Sequence, residues 1–255
     1  DCANGAAYSM APLIFKELGA EVITAGVSPN GLNINAACGA MHPEAIREAV
    51  LSNKADAGIT LDGDADRVIF LDAAGKVVNG DRILGMCALD MHRRKRLEKD
   101  TLVLTSMSNL GLHKAMEEAG IQTVTTDVGD RYVIENMREN GYNLGGEQSG
   151  HIIFMDYVTT GDGIITALHV LKQMQNCGKS LAELADCMQE YPQRLESIRI
   201  KKKKPFEEMP ALQQIISRCQ EGLGKRGRTV VRYSGTENKI RVLLEAETVE
   251  MVNSW

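Results

Sequence analysis

The stretch Thr60-Leu-Asp-Gly-Asp-Ala-Asp-Arg-Val68 sets Asp62, Asp64 and Asp66 at alternate positions, with Arg67 directly behind the last. In extended or loop backbone, residues i, i+2 and i+4 point the same way, so the three carboxylates aim at one point. Their mutual repulsion needs an offset. A hard divalent cation with oxygen-only ligation, Mg²⁺ or Ca²⁺, is the natural one. Arg67 would then be a fixed cation and a planar fork for a nearby phosphate.

Other readings compete for the same residues. An EF-hand loop needs Gly at its sixth position and Glu at its twelfth. Arg67 and Ala73 stand there, which excludes it. A phosphatase loop, in which an aspartate at a strand end attacks phosphate, fits Asp62-x-Asp64 crudely but not Asp66 and Arg67. A plain acidic turn between two strands stays open.

Two further stretches carry suitable groups. Gly145-Gly-Glu-Gln-Ser-Gly-His151 combines glycines, which let backbone approach a ligand closely, with Glu147 for sugar hydroxyls or an amine. Ser149 donates or accepts there, and His151 is a candidate proton carrier or phosphate donor. A glycine-rich hairpin with an idle Glu and a structural His is the competing reading. Arg232-Tyr-Ser-Gly-Thr-Glu-Asn-Lys239 offers a guanidinium fork, the hydroxyls of Ser234 and Thr236, and backbone N–H groups around Gly235. That set suits a phosphate dianion, although a Ser-Gly-Thr hairpin turn has the same composition. Thr159–Gly163 and Gly129–Arg131 read as helix starts, with Thr160 and Arg131 able to face a ligand. A cation site, a sugar-hydroxyl site and a phosphate site together indicate a phosphosugar, in a cleft shared between domains.

The elements that must carry these loops alternate between short β-rich runs and helical segments, the pattern of βα units. The first unit reads as a helix over 8–18, a strand over 20–27, a Gly/Asn-rich loop, a helix from Pro43, and strands at 57–62, 68–72 and 77–79. The second begins at Gly80. It reads as a helix to about Leu97, strands at 101–107, 121–127 and 151–156, and helices at 109–120, 129–141, 162–176 and 180–189. Tyr191-Pro192 breaks the helical pattern. A smaller β-α-β-β unit follows, in which Leu212, Ile215, Ile216, Cys219 and Leu223 form an apolar helical stripe. The fold class is therefore α/β: two successive mixed or parallel βα-sandwich domains, 1–79 and 80–192, plus a smaller α+β domain, 193–255.

Composition narrows the partners. With 255 residues, 44% hydrophobic content and a net charge of −5, the chain is not a nucleic-acid binder. The two basic runs, His92–Arg96 and Lys201–Lys204, lack interleaved aromatics and read as solvated faces or linkers. Six cysteines without a CxxC pair predict reduced thiols and a cytoplasmic setting. No apolar run approaches the ~20 residues of a membrane span. The start at Asp1, in what reads as the turn after a strand, and the stop at Trp255 within a helical pattern indicate part of a longer protein, with the last domain truncated.

Taken together, the three loops resemble those of the α-D-phosphohexomutase superfamily. Asp-Gly-Asp-Ala-Asp-Arg is similar to its metal loop, Gly-Gly-Glu-Gln-Ser-Gly-His to its sugar loop, and Arg-Tyr-Ser-Gly-Thr-Glu-Asn to its phosphate loop. The stretches Asp1–Ala6, Val128–Val133 and Thr159–Gly163 look most like members acting on glucosamine phosphates. Ala65 replaces a frequent Gly, and Asn238 stands where Pro is common.

The resemblance implies interconversion of glucosamine 6-phosphate and glucosamine 1-phosphate through glucosamine 1,6-bisphosphate as intermediate and activator. It implies Mg²⁺ on Asp62, Asp64 and Asp66, catalytic roles for Arg67 and His151, sugar contacts from Glu147 and Ser149, and a phosphate clamp from Arg232, Ser234, Gly235 and Thr236. A phosphoserine is required, and its Ser-His-Asn-Pro-like loop does not occur in these residues. The implied partners are a phosphosugar, an N-terminal domain of the same protein and, compatibly, a second copy in a homodimer. Glucose or mannose phosphate mutases, and a non-catalytic phosphosugar- and metal-binding module, are the alternatives. One consequence is measurable: the purified 255-residue chain, supplied with bisphosphate and Mg²⁺, is expected to show no mutase turnover. Detectable turnover would overturn the missing-nucleophile argument.

Overall fold

The computed structural model describes residues 1–234 and 237–255. They form two compact units, one of Asp1–Ser108 with Leu112–Met188, the other of Asn109–Gly111 with Gln189–Trp255.

The first unit opens with helix α1 (Met10–Glu17). A 3₁₀ turn at Pro43–Ile46 leads into α2 (Arg47–Asn53), closed by Lys54 in the left-handed conformation. Strands β1 (Ala57–Leu61), β2 (Val68–Asp72) and β3 (Val77–Val78) make an antiparallel sheet in that order. The β1–β2 register ends on the pair Leu61 and Val68, so the six residues between them, 62–67, are the turn that carries the aspartates.

Asn79 then caps α3 (Gly80–Arg93), its side chain accepting from Arg82 N. Next come β4 (Thr101–Thr105), α4 (Leu110–Glu118), β5 (Gln122–Thr126), α5 (Asp130–Asn140), β6 (Leu144–Gly146), β7 (Ile152–Phe154), α6 (Gly163–Cys177) and α7 (Leu181–Ala185). The second sheet has the order β5-β4-β6-β7, parallel except for the antiparallel β6–β7 hairpin. Both faces of this sheet are covered, as parallel pairing requires. Leu102 and Leu104 of β4 share one core with Ile83 and Leu84 of α3 and Ala167 and Val170 of α6. Val103 faces the other way and packs with Val133 and Met137 of α5. The first core also takes in Leu61, Val68 and Phe70, so the antiparallel sheet and the second sheet share it.

The second unit holds β8 (Gln193–Arg199), α8 (Pro210–Leu223), β9 (Gly227–Tyr233), β10 (Lys239–Ala246) and α9 (Val249–Asn253). Its sheet is antiparallel with β10 in the centre, order β8-β10-β9.

Several sequence expectations change. Residues 20–27 form no ladder; Ala25 and Gly26 only accept from the amides of Cys2 and Asn4. A β-rich run becomes a strand only when a neighbour supplies continuous pairing. The stripe on α8 is partly core: Cys219 and Leu223 are buried, but Ile215 is 62% exposed. The lysine run keeps its expected solvated face, all four residues being exposed, and is tied down by Lys203 Nζ donating to Ser234 O at 2.5 Å and Lys204 N to Tyr233 Oη at 3.2 Å. The other basic run is solvated as expected, residues 93–96 being exposed, with Arg93 and Arg94 both paired to Asp90 at 2.6 and 2.8 Å. All six cysteines are free thiols. Among the described residues no helix is long and apolar enough to cross a membrane.

Phe70 is fully buried in the shared core. Phe70→Ala is expected to lower the stability of the first unit by about 3–5 kcal/mol through lost transfer energy and a residual cavity. Urea unfolding followed by circular dichroism would read this as a lower midpoint at an unchanged slope.

Candidate functional site

The turn between β1 and β2 is built from its own carboxylate. Asp62 Oδ1 accepts from Arg67 N at 3.1 Å, and Asp62 O accepts from Ala65 N at 3.1 Å. Ala65 therefore sits at φ +63°, a left-handed position that a glycine adopts more easily. One carboxylate oxygen from each of Asp62, Asp64 and Asp66 lies within 4.8 Å of the others. Oxygens bound to one hard cation at about 2.0–2.6 Å fall within about 4–5 Å of each other, so the three can share an ion. Asp66 Oδ1 is buried without a hydrogen-bond partner, so its lone pairs are open to a cation. Asp62 is buried, and this burial, with the charges of Asp66 and Asp64 adding to it, raises its pKa from 3.8 to about 6.

Arg67 does not project away from the carboxylates. Its Nε lies 3.6 Å from Asp66 Oδ1 and 3.8 Å from Asp62 Oδ2, within ion-pair range but beyond a hydrogen bond. Its backbone pairs with His151 in an isolated antiparallel bridge. Val68 N also donates to Gly150 O at 3.1 Å. The aspartate turn is thus joined through backbone to the loop between β6 and β7.

That loop is Glu147–His151, closed by Glu147 N to His151 O and Gly150 N to Glu147 O, both 3.0 Å. Gly150 has φ +92°, and a Cβ there would lie 2.4 Å from Val68 O. Only glycine lets this loop meet β2 so closely. Glu147 Oε1 accepts from Gly129 N at 3.1 Å, at the start of α5. Ser149 Oγ donates to Glu147 Oε2 at 3.5 Å. His151 is 1% exposed, with Nε2 3.4 Å from Asp66 Oδ2, and neither ring nitrogen has a hydrogen bond. Gly161 seals it in: a Cβ there would lie 2.5 Å from His151 Nε2 and 2.7 Å from Asp66 O. Gly163 N donates to Ala65 O at 2.8 Å, so Gly161–Gly163 clamps both loops.

In the second unit Arg232 on β9 faces Arg241 across the β9–β10 ladder. Like charges directly opposite destabilise a sheet unless an anion or an acid offsets them. Both Nε atoms are buried without a hydrogen bond. Burial, and then Arg241, lowers the Arg232 pKa. Ser234 is buried; its N donates to Lys239 O at 2.9 Å and its Oγ accepts from Glu237 N at 3.3 Å. Gly235 and Thr236 lie outside the described residues.

The first unit therefore gathers Asp62, Asp64, Asp66, Arg67 and His151 directly, with Glu147 and Ser149 on the adjoining loop. Sequence reasoning passed over Gly161 as a wedge and the Gly129 amide as the partner of Glu147, although it had noted both stretches as helix starts.

Residues 1–75, 79–191 and 195–255 match, in turn, the family descriptions "Phosphoglucomutase/phosphomannomutase, alpha/beta/alpha domain II", "alpha/beta/alpha domain III" and "C-terminal domain". The chain belongs to the phosphoglucomutase/phosphomannomutase family. It is 53% identical over 255 residues to the phosphoglucosamine mutase of Geotalea daltonii and 55% identical to that of Pelobacter propionicus. All of this chain aligns in both cases, with 56% of each relative; the chain spans little more than half the length of these curated proteins.

Solved structures with the same fold include a Burkholderia thailandensis phosphoglucomutase/phosphomannomutase family protein, with TM-score 0.81 and 21% identity over 100% of this chain and 57% of that one. Another is Aspergillus fumigatus N-acetylphosphoglucosamine mutase in complex with GlcNAc-6P and magnesium. Its TM-score is 0.77 at 24% identity, covering 100% of this chain and 63% of that one. Phosphohexomutase membership implies a metal ion, and the three aspartates form a group able to hold one.

The raised Asp62 pKa sets a pH dependence. A ligand carboxylate must be deprotonated, so a proton on Asp62 competes with the cation below about pH 6. In the metal-free protein the sign for stability is the reverse of the usual carboxylate. The folded pKa lies above the unfolded value, so protonation of Asp62 stabilises the fold as pH falls from about 6 towards 3.8. Calorimetric titration with Mg²⁺ at pH 8, 6.5 and 5 is expected to show affinity flat above about pH 6 and falling roughly tenfold per unit below it. Affinity unchanged down to pH 5 would refute this.

Proposed function

We propose that this chain provides the metal, sugar and phosphate sites of a phosphoglucosamine mutase, which interconverts glucosamine 6-phosphate and glucosamine 1-phosphate through the 1,6-bisphosphate. The observation that carries this reading is the Arg67–His151 bridge, which fastens a three-carboxylate cation site to a Glu/Ser hydroxyl-binding loop in one compact unit. The 52–55% identity to curated phosphoglucosamine mutases supports glucosamine over glucose or mannose phosphates.

In this reading three domains, 1–79, 80–192 and 193–255, supply one loop each. Asp62, Asp64 and Asp66 hold Mg²⁺, which when bound offsets the charge of a transferring phosphoryl group. The phosphoryl donor is a phosphoserine supplied by a domain outside these residues. Arg67, held beside the carboxylates, is the fixed positive charge facing that phosphate. Glu147, anchored by the Gly129 amide, orients sugar hydroxyls or the amine, and Ser149 adds a second polar contact. Arg232, Ser234, Gly235 and Thr236 grip the non-reacting phosphate. That grip reads the phosphate as a dianion, so either end of the bisphosphate fits it. His151 is assigned to back Asp66, because its buried ring sits against that carboxylate.

The test is competition kinetics of the intact protein on glucosamine, glucose and mannose phosphates, alongside Glu147→Gln. Glucosamine phosphate is expected to be the best substrate, and Glu147→Gln to lower kcat/KM by about 10²-fold through lost orientation. Glucosamine phosphate as the poorest of the three would refute the specificity. An intact protein binding phosphosugar without turnover would favour the non-catalytic module.

A further inference from the structure

We propose that Asp81 is a positioning residue for the loop Glu147–His151, acting through Gln148, and that the junction between β3 and α3 thereby sets the orientation of Glu147. This rests on the functional reading above.

Asp81 is 0% exposed, deep in the first turn of α3, where the helix N-terminus favours a carboxylate. Its Oδ2 accepts from Gln148 Nε2 at 2.9 Å. One residue earlier, Gly80 N donates to Gln148 O at 3.1 Å. A Cβ at Gly80 would stand 2.3 Å from Glu147 O and 2.7 Å from Gln148 O, so the helix start and the loop are in backbone contact. Gln148 is thus held by main chain and side chain at once, by two consecutive residues.

Gln148 lies between Glu147 and Ser149, the two groups offered to the sugar. Fixing it leaves those neighbours little freedom. The holder is itself fixed. Asn79 caps α3 through Arg82 N at 3.2 Å, and Val77 and Val78 pair with Leu71 and Phe70 of β2. The strand that begins at the end of the aspartate turn therefore determines, through β3 and residues 79–81, where the sugar loop stands. With Gly129 N on Glu147 Oε1 from the other side, the carboxylate is oriented from two elements.

A charge-and-donor exchange in the intact protein tests this. Gln148→Glu sets carboxylate against carboxylate. Adding Asp81→Asn restores a donor–acceptor pair with the roles reversed, which a general packing role would not reward. Gln148→Glu alone is expected to lower kcat/KM for glucosamine phosphate at least tenfold, about 1.4 kcal/mol, chiefly through KM. The Asp81→Asn/Gln148→Glu protein is expected to recover to within about threefold of the parent. Mg²⁺ affinity by calorimetry is expected to stay unchanged throughout.

The proposal is overturned if Gln148→Glu matches the parent, if the double variant is no better than the single, or if Mg²⁺ affinity falls in parallel with kcat/KM. Should Gln148→Glu fail to fold, Gln148→Met removes the bond without adding charge; a raised KM supports the proposal and a parental KM overturns it. Full activity in Glu147→Gln would overturn the functional reading and this inference with it. An inactive Glu147→Gln beside a fully active Gln148→Glu overturns this inference alone.

Discussion

Three carboxylates with oxygens inside 4.8 Å must be held against their own repulsion, and much of the first unit can be understood as the means of doing so. A two-stranded ladder closes on Leu61 and Val68 and forces the six residues between them into a tight turn. Asp62 Oδ1 accepts from the turn's own backbone at Arg67 N, so part of its charge is used structurally. The Arg67 Nε lies near Asp62 Oδ2 and Asp66 Oδ1 without a hydrogen bond to either, which softens the repulsion without consuming those oxygens. His151 and Gly161 close the buried side. The result is a cluster kept electrostatically unsatisfied but mechanically fixed, the condition in which a cation gains most.

What could be read from sequence followed range. The aspartates were legible because a period of two is a local property of the chain. The order of βα units was legible for the same reason; the left-handed backbone at Ala65 was not, although the sequence showed Ala where Gly is frequent. Non-local contacts were not legible. The run 20–27 has strand composition, but its ladder depends on neighbours far away in sequence. Asp81 carries no signal in the sequence, since its partner Gln148 lies 67 residues away. His151 read by type as a proton carrier or phosphate donor; that its ring is enclosed against Asp66 could not be read from sequence.

Glycine carries much of the site's precision. Gly80, Gly150, Gly161 and Gly163 each stand where a Cβ would run into backbone at 2.3–2.7 Å. Such contacts let strands and loops from different parts of the chain touch through main chain, whose position is fixed by sheet register rather than by rotamer choice. Functional side chains then need only short reaches. The same economy explains why Glu147 is anchored by an amide at the start of α5 instead of by a long basic side chain.

The openness of the aspartate turn bears on which ions it could take. Three carboxylates on one short turn, with Asp64 exposed, make an open half-shell rather than a closed cage. Such a shell fixes charge and ligand hardness but imposes no cavity diameter. Mg²⁺, which holds on to its waters, and larger hard ions that accept irregular coordination would both be accommodated. For an ion held there, discrimination would fall to whatever other ligands complete the shell and to which ion the surroundings supply.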